Sequence, residues 1–164
     1  MKKKRLDNAG YSLLEVIIVA AIIALVTGLV IMSFGALNTR KLDECAKKLK
    51  MGLETNRVTN MGKLSASVSV YVDGQGYLVL EEDINGEINT KRVGDSGLTY
   101  KYSFNGVENS VPQVSNKITI RFDRNSGALK PQETNKFIDY FLIELDGIDM
   151  KVSIDKLTGK VSVD

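Results

Sequence analysis

Between Val16 and Thr39 the chain carries no charged side chain, and the run is opened by a single acid, Glu15. As an α-helix rising 1.5 Å per residue the stretch reaches about 36 Å, more than a hydrocarbon core of about 30 Å. A carboxylate at the centre of a membrane helix is disfavoured by roughly 2.5 kcal/mol or more, less near an end, so acids in such segments have partners. Asp7 is the only other charged residue between Arg5 and Arg40. The helix can span a bilayer, and its one acid needs a counterpart.

An ordinary secretory signal accounts for this pattern poorly. Its apolar region is about 7 to 15 residues long and ends in a small-residue cleavage site, whereas this run continues further and leads into a polar helix. The basic cluster Lys2, Lys3, Lys4 and Arg5 is separated from the run by LDNAG, which ends in Gly10 where the apolar stretch begins. That arrangement predicts a cut in front of the membrane segment.

On these residues, KKKRLDNAG followed by YSLLEV, the chain resembles the class III signal of type IV prepilins and type II secretion pseudopilins. The resemblance implies cleavage between Gly10 and Tyr11 by a membrane aspartyl peptidase that also methylates Tyr11. It further implies other pilin or pseudopilin subunits and an inner assembly platform as partners, with the membrane as host before assembly. Tyr11 stands where phenylalanine is commonest, and Met32 where many major pilins have a helix-bending proline. The missing proline points to a minor subunit and leaves any melting of the helix to Thr27, Gly28, Ser33 and Gly35. In an assembled bundle, Glu15 of one subunit is placed to pair with the Tyr11 amine of its neighbour, each removing the other's desolvation penalty and fixing the axial stagger.

Arg40, Lys41, Lys47, Lys48 and Lys50 flank the far end of the run, so the charge bias for orientation is weak. A cytoplasmic amino terminus, an extracytoplasmic head and a final place in a cell-surface filament rest on the resemblance. The four leader cations less Asp7 carry +3, so the formal net charge of +2 becomes −1 once the leader is gone. A near-neutral subunit supports nucleic-acid binding only through a local patch. The cluster from Arg40 to Lys50 is the best candidate, but it reads as a solvated helix face because no aromatic residues interleave for base stacking. Nucleic acid is therefore an unsupported partner.

Past the run, Leu42, Cys45, Ala46, Leu49 and Leu53 recur three to four apart and continue one amphipathic helix to about Asn60. The expected organisation is a leader at 1–10, a membrane or filament-core helix at 11–37, its amphipathic continuation at 38–62 and a β-rich head at 63–164. Period-two alternation appears at Leu64, Ala66, Val68, Val70 and Val72, again from Leu98 to Phe104, and at Ile118, Ile120 and Phe122. Turn signals stand at Asp73-Gly74, Asn85-Gly86, Asn105-Gly106, Asp146-Gly147 and Thr158-Gly159. About seven antiparallel strands packed on one helix face make a pilin-like α+β head. No segment repeats, and Ser110 to Asn116 and Gly127 to Asn135 read as loops. KITIRFDRNSGAL and ETNRVTNMGK are similar to elements of minor pilins and of pseudopilins of the GspH type.

With no histidine and one cysteine, the chain lacks the usual acid/base and nucleophile pairs, and neither an enzyme nor a cofactor is expected. Zinc is equally unexpected. Cys45, on the apolar helix face, reads as a small buried hydrophobe. An exported domain without a disulfide fits a Gram-positive surface. Asp83, Asn85 and Glu87 alternate like calcium ligands, yet no further acid stands at the spacing of a full loop, so a hairpin turn is preferred. The expected function is a filament subunit of a pilus, secretion or DNA-uptake system. The alternatives are a filament-tip module for DNA or a surface, a simple membrane-anchored extracellular domain, and a tethered enzyme, for which the sequence offers no convincing carboxylate pair.

Overall fold

The computed structural model describes residues 12–164, except for the side chains of residues 29–36. Its first element is one helix, α1 (Leu13–Met61), uninterrupted at Thr27 and Gly28. Strands β1 (Ala66–Val72), β2 (Leu78–Ile84), β3 (Glu87–Arg92), β4 (Thr99–Phe104) and β5 (Val107–Ser110) follow. A 3₁₀ turn at Val114–Asn116 then leads to β6 (Ile118–Ile120), β7 (Ile138–Leu145), β8 (Ile148–Ile154) and β9 (Val161–Val163). The architecture is α+β. By internal contacts the chain divides into Met1–Leu37 and Asn38–Asp164.

The second unit has two antiparallel sheets, ordered β3-β2-β1-β6 and β5-β4-β7-β8-β9. The helical spacing of Leu42, Cys45, Ala46, Leu49 and Leu53 places them on one face, and all five are at most 2% exposed. They share a core with Val68, Val70, Leu78, Leu80, Ile118 and Ile120 from the first sheet. The second sheet contributes Tyr100, Phe141, Ile143, Val152, Ile154 and Val161. Contact between helix and sheet is close at Gly52, where a Cβ would come within 2.6 Å of Leu80 Cδ1. The apolar face ends in two buried amides, Asn56 and Asn60. Asn60 Nδ2 donates to Ala66 O (2.7 Å) and its Oδ1 accepts from Ala66 N (3.3 Å), which ties the end of the helix to the start of β1.

Three hairpins use two-residue turns with both central residues at positive φ, Asn85-Gly86, Asn105-Gly106 and Asp146-Gly147. This is the twist that suits right-handed strands. Asp73-Gly74 behaves differently. There the link runs from Asp73 to Tyr77, Asp73 Oδ1 accepts from the amides of Gln75 and Tyr77, and Gly76 is the residue at positive φ (86°).

The expected count of about seven strands is corrected to nine among the described residues. Strands β3 (EINTKR) and β5 (VENS) are exposed throughout and lie at sheet edges. With neither face buried, nothing imposes alternation on them, and backbone pairing alone defines them. The segment read as a loop from Ser110 begins with the last residue of β5 and contains the 3₁₀ turn. Leu64, expected on the buried face of the first strand, is 46% exposed, because the helix ends through Lys63 at φ 69° and pairing begins at Ala66.

Leu49 is fully buried at the centre of the helix face. Leu49→Ala is expected to cost about 2–5 kcal/mol, read as a lower denaturant midpoint for the full chain in detergent.

Candidate functional site

The residues expected to carry the processing signal, Lys2, Lys3, Lys4, Arg5, Gly10 and Tyr11, lie outside the described residues. Description begins at Ser12, which precedes the first helical residue and acts as its cap. Ser12 Oγ accepts from the Glu15 amide at 3.2 Å, and Ser12 O accepts from the amides of Glu15 (3.0 Å) and Val16 (3.2 Å). Ser12 and Glu15 thus occupy the two positions of an S-x-x-E capping sequence, a signal the sequence reading passed over. The carboxylate in the first turn also complements the positive end of the helix dipole.

From Leu13 (79% exposed) to Val26 (54%) every large apolar side chain on the helix is at least half exposed. These positions run all round the helix, unlike the one-sided stripe beyond Asn38. A helix apolar on every face is one that other apolar matter surrounds. Among the described residues no helix is long and apolar enough to cross a membrane. The span expected from sequence takes in residues 29–36, whose side chains lie outside the description.

The other candidates fall out as follows. In the cluster from Arg40 to Lys50, Lys47 bridges Asp43 at 2.7 Å and Lys48 lies 3.8 Å from Glu44, both one helical turn apart. Arg40 and Lys41 are exposed. The calcium pattern does not converge, because the β2–β3 register pairs Ile84 with Glu87 and Asp83 with Ile88, so Asp83 and Glu87 face opposite sides of the sheet. Asp83 Oδ1 accepts from Gly86 N (2.9 Å) and Asn85 Oδ1 from Ser65 N (3.0 Å), which are hairpin and loop contacts. Cys45 is 2% exposed, and burial is the main cause pushing its thiol up to about 12. It packs with Tyr100, whose own pKa is raised chiefly by burial and whose hydroxyl donates to Asp95 O (2.6 Å). Gly94 admits both, since a Cβ there would collide with the Tyr100 hydroxyl and come within 2.8 Å of Cys45 Sγ.

A repeat that the sequence reading missed braces the head. Residues 118–130 (ITIRFDRNSGALK) and 150–162 (MKVSIDKLTGKVS) share only an aspartate and a glycine in register, yet they fold alike. Asp123 Oδ1 accepts from the amides of Asn125 and Ser126 and from the Ser126 hydroxyl. Asp155 Oδ1 does the same with Leu157, Thr158 and the Thr158 hydroxyl. Gly127 and Gly159 close the turns at φ 70° and 66°. The two turns meet so closely that a Cβ on Gly159 would overlap Gly127 O. From α1, Arg57 Nε donates to Thr158 O (2.9 Å) and Gly127 O (3.3 Å), and Glu54 Oε1 accepts from Val161 N (2.8 Å). Matching residue class rather than identity, in particular the D-x-x-[ST]-G frame, is the signal that reveals the repeat.

The family described as the Prokaryotic N-terminal methylation motif matches residues 5–34. The chain carries the class III prepilin signal. Comparison with the curated proteins and with the solved structures gives no match. The matched stretch takes in Arg5, Gly10, Tyr11, the Ser12 cap, Glu15 and the exposed apolar turns, and it ends before the head begins.

Removing the Arg57 clamp by Arg57→Ala leaves two carbonyls without their donor and is expected to destabilise the head by about 1–3 kcal/mol, measured by denaturant unfolding. Cys45 should resist iodoacetamide until the chain is unfolded, as followed by intact mass. Amide and hydroxyl donors from Ser126 and Thr158 hold Asp123 and Asp155 below the usual carboxylate range. Depressed folded values mean that their stabilisation is complete above the unfolded value of about 3.9 and is lost as pH falls through the folded one. Thermal melts should therefore hold steady from neutrality to about pH 4 and drop below it, less so in Asp123→Asn/Asp155→Asn.

Proposed function

We propose that the protein is a structural, non-enzymatic subunit, a minor pilin or pseudopilin of a type IV pilus or of a related type II secretion or DNA-uptake filament. It is cleaved after Gly10, methylated at Tyr11 and assembled through its amino-terminal helix. The observation that carries this reading is the methylation motif lying directly on a helix whose apolar side chains are exposed all round. Each square ångström of such surface left in water costs about 25 cal/mol, so the helix requires a host. Lipid supplies it while the subunit is a membrane protein with its head outside the cytoplasm. Neighbouring helices supply it in a cell-surface fibre, consistent with a Gram-positive envelope.

Glu15 gives the transfer its register. Removing the leader leaves one amine next to the Ser12 cap, and the carboxylate one turn into the helix is the natural partner for the corresponding amine of an adjacent subunit. The partners are thus a prepilin peptidase and methyltransferase, an inner assembly platform and other subunits of the fibre.

Co-expression with a prepilin peptidase, followed by intact-mass and amino-terminal peptide analysis, should give a chain that begins at a methylated Tyr11. A chain that keeps residues 1–10 would sink the assignment. Glu15→Gln should be cleaved normally yet be depleted from sheared filaments; incorporation equal to wild type would exclude the pairing role while leaving the processing signal intact.

A further inference from the structure

A polar cleft of the head, about 440 Å³, lies where the end of α1, the β2–β3 hairpin and the 121–130 arm come together. Its wall presents Arg121, Arg124 and Lys130, with Asp83 as the one acid. Five cations elsewhere on the strands and their connecting loops reach carboxylates, Lys91 to Glu82, Arg92 to Asp73, Lys101 to Glu144, Lys117 to Glu81 and Lys136 to Glu133, and Lys151 lies over the Tyr140 ring. Among the described residues, none of the three cleft cations has a carboxylate within ion-pairing distance.

Two of them are placed against each other. Lys130 N donates to Arg121 O (2.9 Å) beside the antiparallel bridge Phe122–Leu129, so residues 121 and 130 stand directly opposite on one face. Like charges in that position are destabilising. Arg124 donates from Nη2 to Lys63 O (2.6 Å), which anchors its side chain at the end of the helix. Of the nearby acids, Asp83 accepts from Gly86 N and Asp123 from its own turn, and Asp123 also attracts Lys130. The opposite wall is set by paired contacts between Ser65 and Asn85, which exchange a backbone and a side-chain hydrogen bond (2.8 and 3.0 Å).

We propose that this cleft binds a phosphate oxyanion, free or esterified, through Arg121, Arg124 and Lys130. A wall of three cations and one acid favours an anion, and the guanidinium fork matches phosphate geometry in two parallel hydrogen bonds. The anion would add to the screening of the repulsion between residues 121 and 130 that Asp123 supplies from the Lys130 side. This site is independent of filament assembly and stands whether or not the helix enters a fibre.

The full chain in non-ionic detergent is titrated at low salt with inorganic phosphate, glycerol 3-phosphate and a thymidine dinucleotide, with isothermal calorimetry as the readout. Saturable binding that weakens with salt is expected, and the preferred probe separates free phosphate, monoester and diester. Arg121→Gln and Lys130→Gln should each weaken binding by about tenfold or more while the Tm holds or rises, because the opposed charges are relieved. Arg121→Lys keeps the charge and loses the fork, so weaker binding there at unchanged Tm separates recognition from folding. Failure of all three probes to bind, undiminished binding by Arg121→Gln/Lys130→Gln, or equal competition by succinate would overturn the site.

Discussion

The burial of one helix face against two sheets is the interaction on which the head depends. Leu42, Cys45, Ala46, Leu49 and Leu53 contribute side chains that neither sheet supplies for itself, and they join the first sheet's Val68 and Leu80 to the second sheet's Tyr100 and Val161 in a single cluster. Each sheet also has edges formed by short or wholly exposed strands. Such strands add backbone pairing but little apolar burial, so the stability of the head is concentrated along the helix stripe and the strands that face it.

The same helix obeys two rules along its length. Before Gly28 its apolar residues are exposed all round, whereas beyond Asn38 they form one buried stripe bounded by charges. Polar caps mark both limits, Ser12 at the start and the Asn56–Asn60 pair where the stripe ends. An element of this kind answers to two environments, and its sequence changes period in keeping with them.

What could be read in advance followed burial. The helix stripe and the three Asn-Gly or Asp-Gly hairpins were legible because apolar spacing and positive φ leave direct marks on composition. Strands β3 and β5 were not, since an exposed edge strand imposes no alternation on EINTKR or VENS. The turn at Asp73-Gly74 was legible but its length was not, because the link runs on to Tyr77 with Asp73 as acceptor for two amides. The repeated D-x-x-[ST]-G frame escaped notice because its likeness lies in the class of each residue. Of the candidate site, the class III signal was legible because a basic leader, a glycine and one acid in an apolar run coincide in KKKRLDNAG and YSLLEV. The basic cleft was invisible, because Arg121, Arg124 and Lys130 meet Ser65 and Asn85 only after the sheet has formed.

The clamp between Glu54 and Val161 joins residues 107 positions apart. In a chain made from its amino terminus, the amphipathic half of the helix therefore emerges long before its last partner. Glu54 and Arg57 wait for the second D-x-x-[ST]-G turn and β9, which follow 101 and 107 positions from their partners on the helix. Folding dominated by such distant contacts is slow to start, and here it is completed only once Thr158 and Val161 have been made. Docking of the Asp155–Gly159 turn and Val161 onto the helix thus closes the fold, and a chain cut before that turn would leave Glu54 without Val161 and Arg57 without Thr158.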